Sequence, residues 1–438
     1  MKRRNLLQLS AAALGVSLVP AFHPAWAVPV APKANAVLTT WYRLVLELVR
    51  HTATYSPPVA SRAFAYLGVA SYEALAALDP RMTSLAGQVT GLAAGPKPGA
   101  GPHDAAAVLH AALTRASGFF FENTGPTGQR AMVALNGQIS AGFADLPPDV
   151  QARSSALGLQ VAEHIIGWSL TDGGAVIENM GFPMDYEPKA GPAHWLPTSL
   201  IRLQQAPLLP GWGQNRTFVA DGSECDLLPP PTYSEDPASD FYQQALEVYQ
   251  AKADMTDAQK TIARFWSDDP MLSPTPPGHW ISIALEILLK DNIDAARAAD
   301  VLARLGVILA DAFILCWRAK YTFDLLRPVT YIRRVIDPKW EPLLITPPFP
   351  EYPSGHSVQS GAAAVVLSAV FGDNYGFSDA THVDDGIPAR RFASFQAAAE
   401  EAAQSRLYGG IHFRAANEQG LAYGTCIGAR AVALRTLS

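Results

Sequence analysis

The chain has 438 residues and a formal charge of −6, with 33 Lys and Arg against 39 Asp and Glu. That length allows one large or two ordinary domains with ample core, and the acidic balance argues against nucleic acid or an anionic membrane surface as partner. Three cysteines (Cys225, Cys316, Cys426) are too few for a disulfide framework; Cys316 and Cys426 lie in apolar helical contexts that suit buried thiols.

Residues 1–27 read as an export leader: Lys2-Arg3-Arg4 is positive, Leu6 to Val19 is mostly apolar, and Ala25-Trp26-Ala27 has the form of a cleavage site. Arg3-Arg4-Asn5-Leu6-Leu7 resembles a twin-arginine signal, which points to a periplasmic or secreted bacterial protein. Removing 1–27 takes away three basic residues and no acidic one, so the formal charge moves from −6 to −9. No later apolar run is long enough and free enough of charge to span a membrane.

The mature chain reads as all-α. Residues 28–172 carry the periodicity of an N-terminal helical bundle: Trp41, Leu44, Val45, Leu48 and Val49 form one stripe, and Phe64, Leu67, Ser71, Tyr72 and Leu75 form the next after Pro57-Pro58. Residues 87–102 are loop-like, and helices are expected near 103–120, 126–143 and 148–171. Residues 173–236 are rich in Gly, Pro and Trp and end on Pro229-Pro230-Pro231. Such an irregular stretch reads as functional or as a linker. Gly191 to Thr198 and Pro207 to Gly213 resemble a crossover that joins two helical halves in a known family, which implies packing over the second half at a cleft mouth, with His194 either at the rim or an ordinary loop histidine. Residues 237–438 read as a C-terminal bundle, with helices near 238–252, 256–267, 277–290, 293–326, 355–371, 389–407 and 414–435. A site between helices of this second bundle is the expectation.

Three segments of that half carry the chemistry. Lys320 and Arg327 are seven apart, nearly on one helical face, and Pro328 places Arg327 at or near a helix end. In Pro353-Ser354-Gly355-His356, Ser354 is a natural N-cap and Gly355 offers its amide at a helix N-terminus, a ready anion site. In Ser405-Arg406-Leu407-Tyr408-Gly409-Gly410-Ile411-His412, the glycines break the helix so that His412 can return toward Arg406. Three cations, a hydroxyl, an amide and two histidines suit a tetrahedral oxyanion; Asp324 and Glu351 are the carboxylates inside these segments.

Lys-x6-Arg-Pro, Pro-Ser-Gly-His and Ser-Arg-x5-His, in this order, resemble the vanadium-dependent haloperoxidases and the related type 2 phosphatidic acid phosphatases. The resemblance implies vanadate on His412, its oxygens held by Lys320, Arg327, Ser354, the Gly355 amide and Arg406, with His356 as the acid–base residue. It implies hydrogen peroxide and halide as substrates, a hypohalous product and a small organic acceptor, the metal acting as a Lewis acid. Lys320, His356 and His412 would be the catalytic side chains. Trp317 and Phe349 match aromatic positions on the halide side of the fungal chloroperoxidase branch. Phe265-Trp266-Ser267-Asp268-Asp269 resembles the family's outer carboxylate segment, which assigns Asp269, or Asp268 in its place, to a pocket cation. Where the family has an Asp four residues after the metal-binding histidine, this chain has Ala416, and Asn417 is the candidate to orient His412. Two other functions use the same residues: an acid phosphatase working through a phosphohistidine on His412, with phosphate in the vanadate place, and an exported anion carrier. The Ala at 416 counts against the phosphatase, and the retained His356 counts against a carrier.

Overall fold

Proline, capping side chains and apolar stripes set the helix boundaries in the residues that the computed structural model describes, 32–177, 186–198 and 206–437. The leader assigned to 1–27 lies outside them, as do 178–185 and 199–205 of the crossover. The first half is α1 (Ala34–Arg50), α2 (Pro57–Ala76), α3 (Ala105–Phe120), α4 (Gly125–Ala141), α5 (Pro148–Ser169) and the single turn α6 (Gly174–Ile177). The second is α7 (Asp240–Ala253), α8 (Asp257–Phe265), α9 (Thr275–Lys290), α10 (Ala295–Phe323), α11 (Pro328–Val335), α12 (Gly355–Phe371), a ribbon of β1 (Phe377–Asp379) and β2 (Arg390–Phe392), then α13 (Phe395–Tyr408) and α14 (Arg414–Val432). The protein is all-α apart from this ribbon, in which Phe377 faces Phe392 across an antiparallel pair. No helix among the described residues is long and apolar enough to cross a membrane.

Helix α10 is the axis. Asp294 caps it by accepting from the amides of Ala296 and Arg297 at 3.0 and 3.2 Å, and its 29 residues are buried nearly throughout. Helix α2 crosses it almost backbone to backbone: a Cβ at Gly68 would stand 2.8 Å from the Leu302 carbonyl oxygen. The stripe expected on α1 is buried as read, with Trp41, Leu44, Val45, Leu48 and Val49 all inside. The main hydrophobic cluster runs from Val37 on α1 through α10 to Ala431 on α14. A smaller cluster around Phe241, Tyr331 and Phe413 fills the space between α7, α11 and the start of α14.

The crossover is fastened to α10. The amides of Phe218, Val219 and Ala220 all donate to the buried Asp311 carboxylate, at 2.6, 2.8 and 2.8 Å. The Leu208 carbonyl accepts from Trp317 Nε1 at 3.2 Å and from the Tyr321 hydroxyl at 2.8 Å, which brings the crossover over the segment that carries Lys320.

Some sequence expectations need correcting. Cys426 is not a buried thiol; it is disulfide-bonded to Cys225 over a separation of 201 residues, tying the crossover to α14, whereas Cys316 is the buried free thiol expected. Lys320 and Arg327 do not share a helix: α10 stops at Phe323, Asp324 takes a left-handed turn at φ 52°, and Arg327 is the extended N-cap residue of α11. The expected helix near 389–407 begins at Phe395, because residues 390–392 pair with β1. Both α11 and the ribbon are too short for apolar periodicity to announce them.

Helices α12 and α14 touch through small residues. A Cβ at Gly424 would fall 1.9 Å from the Val358 carbonyl oxygen, so Gly424→Ala must push apart the helix that carries Ser354, Gly355 and His356 on its first turn. It is expected to cost about 1–3 kcal/mol, the usual range for overpacking. Gly118, in α3, has nothing within 4 Å of its added Cβ, so Gly118→Ala should leave stability unchanged or raise it by about 0.5–1 kcal/mol through helix propensity. Thermal melts of the two variants check the contrast; equal losses would contradict the close approach of α12 and α14.

Candidate active site

The loop between α11 and α12, the turn between α13 and α14, and the end of α10 bring the expected residues to one place. Lys320, in the last turn of α10, is fully buried, and its ammonium donates to the carbonyls of Pro350, Glu351 and Pro353 at 2.9, 2.9 and 2.5 Å. Burial pushes its pKa down to about 7; among its neighbours Arg327 lowers it further, while Cys316 and Glu351 pull it up. Arg327 donates through Nε to the Phe349 carbonyl and through Nη1 to the Ile411 carbonyl, both at 2.9 Å, while its buried Nη2 has no hydrogen-bond partner among the described residues. Arg406 is held by the carbonyls of Trp266 and Ala263 and donates through Nε to Ser405 Oγ at 3.0 Å. Desolvation lowers both guanidinium pKa values to about 10.

His412 meets this group directly: Arg327 Nη1 lies 3.1 Å from its Nε2. Its Nδ1 lies 2.9 Å from Glu351 Oε1, which also accepts from the Phe413 amide at 2.8 Å. A carboxylate oxygen accepts, so Nδ1 carries the proton and the Nε2 lone pair faces the cations. Burial, and then the charges of Arg327, Lys320, Arg406 and His356, hold the imidazole pKa well below its ordinary value, which keeps the ring neutral. Glu351 is fully buried and raised to about 7 by desolvation, against the pull of Arg327, Lys320 and the Phe413 amide.

Ser354 caps α12 as its sequence position suggests, its Oγ accepting from the Ser357 amide at 3.4 Å, and Gly355 opens the helix. His356 stands one residue on, with a side chain 16% exposed, while Lys320, Arg327, Ser354, Arg406 and His412 are buried. Its Nε2 has no hydrogen-bond partner among the described residues and lies 3.6 Å from Asp268 Oδ2. Burial and Arg406 lower its pKa to about 4, with Asp268 opposing. Trp317 and Phe349 pack together with ring centroids 4.8 Å apart, and the Phe349 ring also takes the charges of Lys320 and Arg327 at 5.2 and 5.0 Å.

The outer carboxylates differ from expectation. Asn417 does not orient His412: Glu351 already holds Nδ1, and both polar atoms of the Asn417 side chain lack a hydrogen-bond partner among the described residues. The signal was present in the sequence, since Glu351 sits inside the second motif segment. Asp269 forms no ion pair within 4 Å of a pocket cation among the described residues, and burial raises its pKa in spite of the opposing charge of Arg406. Asp268 is the more involved of the two, and its partners are histidines: His279 Nδ1 at 2.9 Å, His382 Nε2 at 3.3 Å and His356 Nε2 at 3.6 Å. His382 carries no motif and was invisible in the sequence. His194 lies against the site's outer wall, its Nδ1 3.1 Å from Asp324 Oδ2.

Residues 300–436 match the family model of the second helical-bundle domain of vanadium chloroperoxidase. The fold superposes on a solved structure described as the first bacterial vanadium-dependent iodoperoxidase with a TM-score of 0.85, at 40% identity over 92% of this chain and 97% of that one. Holo and apo forms of a bacterial vanadium-dependent chloroperoxidase give TM-scores of 0.67 and 0.65 at 17% and 16% identity, covering 86% and 88% of this chain and 92% and 96% of theirs; they speak to the fold alone. No curated protein matches at a significant level. Identity of 40% along nearly the whole of both chains goes beyond shared architecture, and with it the chain belongs to the vanadium-dependent haloperoxidase family.

Proposed function

We propose that this protein is a haloperoxidase that binds vanadate on His412 Nε2 and uses hydrogen peroxide to oxidise halide, iodide before bromide or chloride. The observation that carries the reading is the neutral His412 ring, fixed by Glu351 on one nitrogen and turned toward Arg327 with the other. The donors fit an oxyanion. Arg327 Nη2 is buried and has no hydrogen-bond partner among the described residues, and α12 begins at Gly355, a helix N-terminus that suits an anion. Lys320, Arg327 and Arg406 would hold the oxygens with Ser354 and the Gly355 amide. Bound there, vanadium supplies a Lewis acid that activates peroxide without changing its own oxidation state.

The chain's own residues do the rest. Glu351 keeps the proton on His412 Nδ1, so that Nε2 remains a donor atom for the metal. His356, at the solvent side of the pocket, gives and takes protons, its imidazole being neutral and able to accept one. Trp317 and Phe349 form the apolar wall expected to face a large, weakly hydrated halide. Iodide is supported by the description of the 40% identical relative and by its being the most easily oxidised of the three. A small organic molecule would accept the hypohalous product. Export through residues 1–27 to the periplasm or beyond is supported by the Cys225–Cys426 disulfide, a bond that persists in oxidising compartments.

Phosphate suits the same cradle, and one observation keeps a phosphatase in view. The carboxylate missing at Ala416 is supplied by Glu351, so His412 has the partner a phosphohistidine needs. Purified protein assayed with and without vanadate should oxidise iodide in the presence of peroxide only when vanadate is present. Hydrolysis of p-nitrophenyl phosphate that vanadate inhibits, without peroxide-dependent halogenation, would instead establish the phosphatase. His412→Ala should lose vanadate on dialysis, whereas His356→Ala should retain it and lose turnover by about 10²–10⁴-fold, the usual contribution of a proton-transfer group. Equal retention by both would refute the division of roles. Glu351→Ala should weaken vanadate binding by about 10–100-fold, and Glu351→Gln by less, since an amide oxygen can still accept from Nδ1; isothermal titration with vanadate reads both.

A further inference from the structure

Behind His356 lies a buried cluster that the haloperoxidase reading does not use. Asp268 follows α8, His279 lies on α9, and His382 follows β1; all three are buried, and one ligand atom from each lies within 4.8 Å of the others. We propose that Asp268, His279 and His382 form a second metal site, for a divalent cation of the zinc type, distinct from the oxyanion pocket.

The distances suit it. Asp268 Oδ1 is 2.9 Å from His279 Nδ1 and 3.3 Å from His382 Nε2. A tetrahedral ion with bonds of about 2.0–2.1 Å holds its ligand atoms about 3.3 Å apart; both Asp268 pairs are close to that, and the two histidine nitrogens lie within 4.8 Å of each other.

The outer contacts are those of metal-binding histidines. His279 turns its other nitrogen, Nε2, to Asp379 Oδ2 at 2.7 Å, and His382 turns Nδ1 to Asp385 Oδ2 at 3.1 Å. A carboxylate on the far nitrogen of each ring places the proton there and leaves the near lone pair for an ion, the usual second contact of a ligating histidine. In that tautomer His382 Nε2 and Asp268 both present lone pairs to the same space, and His382 Nε2 is buried without a hydrogen-bond partner among the described residues. A cation between them would pair both.

Charge gives the same answer. Asp268 and Asp379 are buried, and neither pairs with a lysine or arginine within 4 Å among the described residues; their ion pairs are with histidines. One divalent ion offsets both carboxylates with neutral rings. The rival arrangement is a single imidazolium at His279 between the two aspartates, which, against the effect of burial, raise its pKa to about 10, with His382 Nε2 facing Asp268 Oδ1 at 3.3 Å. The position also has a consequence for the neighbouring site: Asp268 would be anchored through one oxygen while Oδ2 stays 3.6 Å from His356 Nε2, making Asp268 a positioning residue for that histidine.

The test is metal stoichiometry on vanadate-loaded protein, read independently of peroxidase activity. Protein stripped with a chelator and reloaded with vanadate is titrated with Zn²⁺, with bound zinc counted by mass spectrometry and the melting temperature followed. The expected result is one equivalent of zinc retained through dialysis and a raised melting temperature. His382→Ala should lose the zinc and the shift, while His412→Ala should keep both. Should His382→Ala fail to fold, Asp385→Asn leaves all three ligands in place and should weaken zinc binding about 10-fold or more. Wild-type protein that retains no zinc, or zinc retained equally by wild type, His382→Ala and Asp385→Asn, overturns the proposal and leaves the protonated His279 as the structure of this cluster.

Discussion

The structure depends on burying three cations side by side without neutralising them. Lys320, Arg327 and Arg406 would ordinarily be stabilised in a protein interior by carboxylates, and then no charge would remain for a ligand. Here backbone carbonyls do most of the work: Pro350, Glu351 and Pro353 for the lysine, Phe349 and Ile411 for Arg327, Trp266 and Ala263 for Arg406. A carbonyl satisfies a donor and orients it but leaves the unit charge in place. The one carboxylate in the inner group, Glu351, spends its hydrogen-bonding oxygen on His412 and the Phe413 amide.

That solution requires irregular backbone inside a helical protein, because the carbonyls of a helix are already engaged by its own amides. The segment 346–354 and the turn 409–413 supply the free carbonyls for Lys320 and Arg327, the end of α8 supplies those for Arg406, and the two loop segments must be clamped to stay buried. Glu351 pairs its amide with the Leu325 carbonyl at 2.9 Å, Ser354 with Ala416 at 3.1 Å, and Leu344 with Gly409 at 3.0 Å. The close helix contacts at Gly68 and Gly424 serve the same end, holding α10, α12 and α14 where these loops can meet.

Legibility in the sequence followed the range of each interaction. The N-cap at Ser354 and the helix start at Gly355 depend on neighbours a few positions away, and the structure has them as read. The helical character and the α1 stripe are likewise local. Pairings across the chain were not legible: the Cys225–Cys426 disulfide spans 201 residues, and His279 reaches Asp379 across 100. Glu351 is visible as a residue but not as the partner of His412, 61 positions on, and Asn417 is suggested only by its place beside Ala416, where the resemblance puts an Asp. Lys320 and Arg327 came together for a reason other than helical spacing, through the left-handed turn at Asp324.

The depressed pKa values of Lys320 and Arg327 and the neutrality of His412 are one phenomenon seen from different atoms. Each positive charge raises the cost of the next, and burial removes the water that would otherwise screen them. A fold built for stability alone would relieve this by placing a second carboxylate among them. Leaving it out keeps the folded state under electrostatic stress that an entering anion relieves, so stability and affinity are drawn from the same source. The neutral imidazole follows from this, since a protonated His412 would add a fourth charge and remove the lone pair. The stress that disfavours a proton on Nε2 is therefore what keeps a lone pair on that nitrogen, turned toward Arg327.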